Sequence, residues 1–152
     1  MQEYFFENPF FADFYLVTIG HQKCPPSHRF GPSIRGNYIL HFIVKGHGSF
    51  YVEGVKHELQ QGDFFLLRPS VETYYEASAT DPWEYYWLGF DGEKTNDILN
   101  YLKIAPEHHV GKALNASLIT QRFESILRPA ILADSNQLLI QQYLYEILGA
   151  FH

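Results

Sequence analysis

The sequence is short of several things, and each shortage removes a class of explanation. One cysteine, Cys24, stands in 152 residues, so no internal disulfide can form and no thiolate cluster can hold a metal. No apolar run approaches the ~20 residues that a membrane-spanning helix needs. The opening stretch, MQEYFFENPFFADFY, has acids where a secretory leader carries bases, and the chain reads as cytoplasmic. Bases are in the minority, 11 Lys and Arg against 17 Asp and Glu, for a net charge of −6. They are scattered, with no adjacent pair. Binding to nucleic acid draws on clustered cations that displace counterions from phosphates, so these residues are not expected to touch DNA directly.

What the chain has in excess is aromatic surface. Phe, Trp and Tyr make up 17%, with 13 Phe and 11 Tyr against one Met. That bias favours strands and rigid ring-lined surfaces. Apolar residues reach 46% and charged residues 18%, the balance of a globular chain with one main core.

Up to about residue 92 the sequence alternates short β-rich runs with turn signals. YILHFIVK (38–45), FFLLR (64–68), VETYYEAS (71–78) and WEYYWLGF (83–90) read as strands, with further candidates at 15–22 and after the GHG turn. The proline- and glycine-rich stretch CPPSHRFGPSIRGN reads as a loop. Six to eight strands at this spacing predict an all-β sandwich or barrel over residues 1–92. Residues 93–152 read as helical. A short helix fits 93–103, and a second runs from Asn115 towards Pro129, with Ile119, Phe123, Ile126 and Ala130 on one stripe. A third follows Ser135-Asn136 as N-cap and carries Ile140, Leu144, Ile147 and Phe151. The two seams look too narrow for buried core helices, so Ile119, Phe123, Ile126, Ile140, Leu144 and Ile147 are expected to form a homodimer interface. The last stripe runs to the final residues, which reads as a chain continuing into further protein downstream.

DPWEYYWLGFDG (81–92) is the densest aromatic run. Alternation along a strand places Trp83, Tyr85, Trp87 and Gly89 on one face, with Glu84, Tyr86, Leu88 and Phe90 on the other. Three large rings bearing polar handles on one face suit a sugar, whose C–H patch stacks on an indole while its hydroxyls demand directed hydrogen bonds. On the preceding strand, Thr73 and Tyr75 share a face. A pure packing strand is the plainer alternative.

Together, RGNYILHFIVKGHGSF, LQQGDFFLLRPS and DPWEYYWLGFDG resemble the effector-binding domain of the arabinose-operon (AraC) family of transcription regulators. The likeness is greatest to Gram-positive members that govern uptake of oligosaccharides such as raffinose or melibiose. It implies a cupin-like double-stranded β-helix barrel that binds a sugar in its mouth, followed by a helical hairpin used for dimerisation. DNA binding is implied only through a downstream helix-turn-helix domain. The resemblance carries a stacking role to Trp87, a polar pocket role to Tyr85 and a hydroxyl-bonding role to Tyr75. Arg35 or Arg29 takes the family's arginine position, and a lid is expected from Asn8, Pro9 and Phe10. Tyr85 departs from the His of the arabinose binder.

The ligand-binding set read from the sequence is therefore Trp87, Tyr85, Tyr75, Arg35, Trp83 and His41. His41 lies within a buried strand and reads as an interior residue, not a metal ligand, because no His-x-His pair accompanies it. No cofactor, metal or catalytic residue is expected. The partners expected are a small sugar, such as an α-galactoside or other oligosaccharide, and a second copy of the chain, without a membrane. Two alternatives stay open: a cupin-type sugar-modifying enzyme of the isomerase kind, and a carbohydrate-binding module.

Overall fold

A computed structural model describes residues 1–7, 9–104, 106–132 and 136–151. The expected lid residue Asn8 and the capping residue Ser135 lie outside the described residues, as does the Ala130 side chain.

The mainly β reading holds. Ten strands, counted among the described residues, form two antiparallel sheets: β1 (Gln2–Phe5), β2 (Tyr15–Lys23), β3 (Arg29–Ile34), β4 (Tyr38–Lys45), β5 (His47–Val52), β6 (Val55–Gln60), β7 (Asp63–Leu67), β8 (Glu72–Ala77), β9 (Glu84–Asp91) and β10 (Val110–Lys112). One sheet has the order β1-β2-β9-β4-β7-β10 and the other β3-β8-β5-β6. The helices are α1 (Thr95–Tyr101), α2 (Ala116–Ile126), α3 (Pro129–Leu132) and α4 (Gln137–Gly149).

Alternation along the central strands builds two interiors. Ile39 and Ile43 of β4, Phe65 and Leu67 of β7, and Tyr85 and Trp87 of β9 turn between the sheets, where Phe50, Val52 and Tyr75 meet them. Their neighbours Leu40, Phe42, Phe64, Leu66, Tyr86, Leu88 and Phe90 turn to the other side of the six-stranded sheet and pack beneath the helices. The indole of Trp83, just before β9, is fully buried, and Gly48 opposes it; a Cβ at Gly48 would run into the indole.

The helical seam has a different destination from the one expected. Ile119, Phe123, Ile126, Ile140, Leu144 and Ile147 are all buried within this single chain, none more than 5% exposed. They pack on the six-stranded sheet, with Phe123 stacked on Tyr86 at 4.8 Å. The stripe is core, because the sheet's outer face is itself apolar and must be covered. An interface built from these residues would first require that core to be opened. A division at residue 93 likewise separates no packing unit: one core joins both sides, and β10 returns from the later segment to pair with β7.

Two polar details fix the helical layer. The Asn136 side chain accepts from the backbone of Leu138 and Leu139, an N-cap worth about 1 kcal/mol. Gln141, 6% exposed, donates through Nε2 to the Phe14 carbonyl at 2.8 Å and to Tyr145 Oη at 3.1 Å. The last helix is thereby tied to the residue that leads into β2.

Candidate functional site

Between the sheets, at one end, lies a cavity of about 310 Å³, near the lower end of the ~300–1,000 Å³ typical of small-molecule sites. Its deep walls are Ile39 and His41 of β4, Tyr75 of β8, and Tyr85 and Trp87 of β9. Val17, Thr18 and Gln22 of β2, together with Asn37 and Arg35, complete the sides. Met1, Glu3, Phe5 and Phe30 stand around it. A wider groove of about 540 Å³ crosses the other sheet's outer side at Tyr51, Glu53, Glu72 and Tyr74, but it is open and draws in none of the polar atoms described below.

His41 is the hub of the deep end. Its ring stacks on Phe65 at 4.5 Å, meets Tyr85 edge-on at 4.9 Å, and lies 5.1 Å from Tyr75 and 6.2 Å from Trp87. Burial, reinforced by the Arg35 charge, pushes its pKa down to about 3, so the imidazole is neutral at physiological pH. Arg35 Nη2 donates to Tyr75 Oη at 3.3 Å, and the guanidinium lies 4.1 Å over the Phe30 ring, itself stacked on Tyr75 at 5.6 Å. Burial pushes the Tyr75 phenol up to about 12 against the pull of Arg35. The Tyr85 phenol is raised further by burial and bonds the Cys24 thiol. Both phenols are therefore protonated donors.

Room for the indole comes from β2. Gly20 faces Trp87 in the ladder, and a Cβ there would collide with the six-membered ring. Glycine in a strand often marks such a close approach. Three polar atoms of the lining are buried without a hydrogen-bond partner: Thr18 Oγ1, Arg35 Nε and His41 Nδ1. An unmet buried polar group costs about 1–3 kcal/mol, and three of the residues around this one cavity carry such a group. Their demand is for a ligand with several hydroxyl or carbonyl groups.

Of the residues expected from the sequence, Trp87, Tyr85, Tyr75, Arg35 and His41 line the cavity together. Trp83 does not. It is stacked on Phe65 at 5.4 Å in the packed interior, because Gly48 opens a slot there that only a large ring fills. Arg29 pairs with Glu76 along β8, outside the cavity. Pro9 and Phe10 stay outside it too. The N-terminal arm, the residues before β2, reaches the cavity through Met1, Glu3 and Phe5, with β1 paired to β2 in the register Glu3↔Gly20 and Phe5↔Thr18. Sequence reasoning missed Thr18, Gln22, Asn37 and Phe30; Gly20 was the available clue to the β2 wall. Among the described residues, no three His, Cys, Asp or Glu side chains are placed to hold a metal ion, and no helix is long and apolar enough to cross a membrane.

Comparison with known proteins adds the family. The chain is 34% identical over 132 residues to the Msm operon regulatory protein of Streptococcus mutans, covering 86% of this chain and 48% of that protein. It is 30% identical over 125 residues to the lactose operon transcription activator of Staphylococcus xylosus, covering 77% and 45%. A third relative, the raffinose operon transcriptional regulatory protein RafR of Pediococcus pentosaceus, is 32% identical over 79 residues, covering 49% and 28%. The chain spans about half the length of the first two relatives. Among solved structures, apo ToxT K231A of Vibrio cholerae superposes with a TM-score of 0.55 at 12% identity, covering 95% of this chain and 59% of that one. YhaK of Escherichia coli gives 0.51 at 22% identity, covering 60% and 44%. These two likenesses concern the fold alone. The family described as "AraC-like ligand binding domain" matches residues 15–148. With a match running from the start of β2 to the penultimate residue of α4, this chain belongs to the AraC-like ligand-binding domain family.

Proposed function

We propose that this chain is the sugar-sensing part of a transcription regulator that controls genes of carbohydrate uptake and metabolism. The single observation that carries the reading is the cavity lined by the Trp87 indole together with Thr18, Arg35, His41 and Tyr75, three of which carry a buried polar atom with no hydrogen-bond partner among the described residues. An indole supplies the stacking face for a pyranose, and Thr18, Arg35, His41 and Tyr75 supply hydrogen bonds to its hydroxyls. The relatives support the same reading, since their names attach them to lactose and raffinose operons. Its role is binding, without catalysis. The effector class is an α-galactoside or another oligosaccharide, sensed in the cytoplasm.

Binding acts on transcription only through protein beyond this chain. The relatives are about twice as long, which leaves room for a DNA-binding domain downstream. A ligand shifts such a system only if it prefers one arrangement of the arm or the helices to another. A homodimer fits this role, but its surface lies elsewhere than the buried seam; the exposed α4 positions Leu138 and Tyr145 are the candidates.

The test is a thermal-shift screen against galactosides and glucosides, comparing the native chain with Trp87→Ala. The expected result is a sugar-dependent rise in melting temperature that vanishes in the variant, while its circular dichroism at 20 °C keeps the β signature. An undiminished rise in Trp87→Ala would remove the indole from the site.

A further inference from the structure

We propose that the mouth of the pocket is a second saccharide subsite, where Phe5 and Phe30 hold the next ring of a ligand whose terminal ring fills the deep end. The proposal rests on the sugar reading above and adds ligand length to it.

The lining changes character from bottom to top. His41, Tyr75, Tyr85 and Trp87 at the deep end are each no more than 6% exposed. Phe5 and Phe30 stand in the same lining, yet are 68% and 41% exposed. They come from opposite sheets: Phe5 from β1, opposite Thr18, and Phe30 from β3, opposite Tyr75. The two rings therefore flank one opening, directly above side chains of the deep site.

Packing accounts for only one of them. Phe30 supports Tyr75 and Arg35 with its ring while much of its surface stays in solvent. The chain neighbours of Phe5, Tyr4 within β1 and Phe6 just after the strand, pack onto the core beneath the helices; Phe5 turns the other way, into the pocket lining. Exposed apolar surface gathered around a groove and rimmed by polar residues is the kind that contacts a ligand. The rim supplies the polar part as well, since the exposed Glu3 and the half-buried Gln22 line the same cavity. A pyranose presents a C–H face and an equatorial belt of hydroxyls. Two phenyl rings with a carboxylate and an amide alongside match both. Glu3 also tells against a purely apolar tail, whose burial there would strip water from a charge.

Size points the same way. A cavity of about 310 Å³ lies at the small end for ligand sites, and its unmet polar atoms are confined to Thr18, Arg35 and His41. A terminal sugar ring satisfies them, and any further ring has to leave through the mouth, past Phe5 and Phe30.

The experiment is calorimetric titration of the 152-residue chain with galactose, glucose and fructose, and with melibiose, raffinose, lactose and sucrose built from them. The expected result is that at least one oligosaccharide binds about tenfold tighter than its best component monosaccharide, as one aromatic platform would give. Phe5→Ala and Phe30→Ala should each erase most of that ratio. Phe5→Ala is decisive, because loss of the Phe30 ring also frees Arg35. A ratio near one in the native chain, or a ratio that survives Phe5→Ala, overturns the second subsite and leaves the sensor standing. Failure of every sugar to bind overturns the sensor reading and the subsite with it.

Discussion

The two sides of the six-stranded sheet are made from the same strands, and they are finished differently. Beneath the helices, Leu40, Leu66, Leu88 and Phe90 meet Ile119, Phe123, Leu144 and Ile147, and the buried polar side chains of the helices, Thr95 and Gln141, both have partners. Between the sheets, packing stops short: a cavity remains, and Thr18, Arg35 and His41 each bring a buried polar atom with no hydrogen-bond partner among the described residues. Strand β9 contributes to both, one residue to each side in turn. The difference separates what holds the protein together from what it keeps open for a ligand. Unmet polar groups weaken an empty protein, and these three belong to residues around a space that a ligand can fill.

The sharpest way to break this contrast is to place a charge in the closed side. Ile147, fully buried, should not tolerate Asp: a loss above about 4 kcal/mol is expected for an unpaired carboxylate in such a core. Circular dichroism and sedimentation of Ile147→Asp should report an unfolded chain. A folded monomer instead would return the helical stripe to the role of a dimer seam.

A milder test works through the open side by pH. His41 stays neutral in the folded chain down to about pH 3, whereas in the unfolded chain it takes up a proton below about 6.5. Acid therefore favours the unfolded state. The contribution is intact above pH 6.5 and shrinks as pH falls towards 3, by about 2 kcal/mol at pH 5. Urea unfolding at pH 7 and pH 5 should show that loss, and His41→Phe should reduce it by the same amount. An equal pH slope in the variant would mean that the imidazole is not shielded.

The smallest effect has the opposite sign. Thr18→Val exchanges an unpartnered hydroxyl for a methyl of the same shape, and should leave the ligand-free chain up to about 1 kcal/mol more stable. The same variant should lose part of the sugar-induced thermal shift. If Thr18→Val lowers stability and leaves the shift intact, the hydroxyl serves the fold and the contrast between the two sides blurs.

The sequence showed the central strands well and the edges poorly. β4, β7 and β9 are apolar or alternating runs, and the two faces of β9 were assigned in advance, which is why Tyr85 and Trp87 were found together. The strands that escaped notice, β1, β3 and β10, all lie at the rims of the two sheets. An edge strand has only one ladder to satisfy and tolerates prolines such as Pro32, so it carries little pattern of its own. The helical stripes were legible as stripes. Periodicity says which residues share a face, but what covers that face depends on the rest of the fold, and here the cover was the sheet. Thr18, Gln22 and Asn37 had no signal, since small polar residues on a strand look alike whether they meet water or a ligand.

The bond from Gln141 to the Phe14 carbonyl has a mechanical meaning. Phe14 immediately precedes β2, the strand whose Val17, Thr18 and Gln22 form a wall of the pocket. Were a ligand to draw that wall inward, the carbonyl would shift as well. Either the amide follows and α4 moves with it, or a buried donor and acceptor part company at a cost that the ligand has to cover. Rigid coupling is the cheaper outcome, and it would deliver motion at the pocket directly to the last helix.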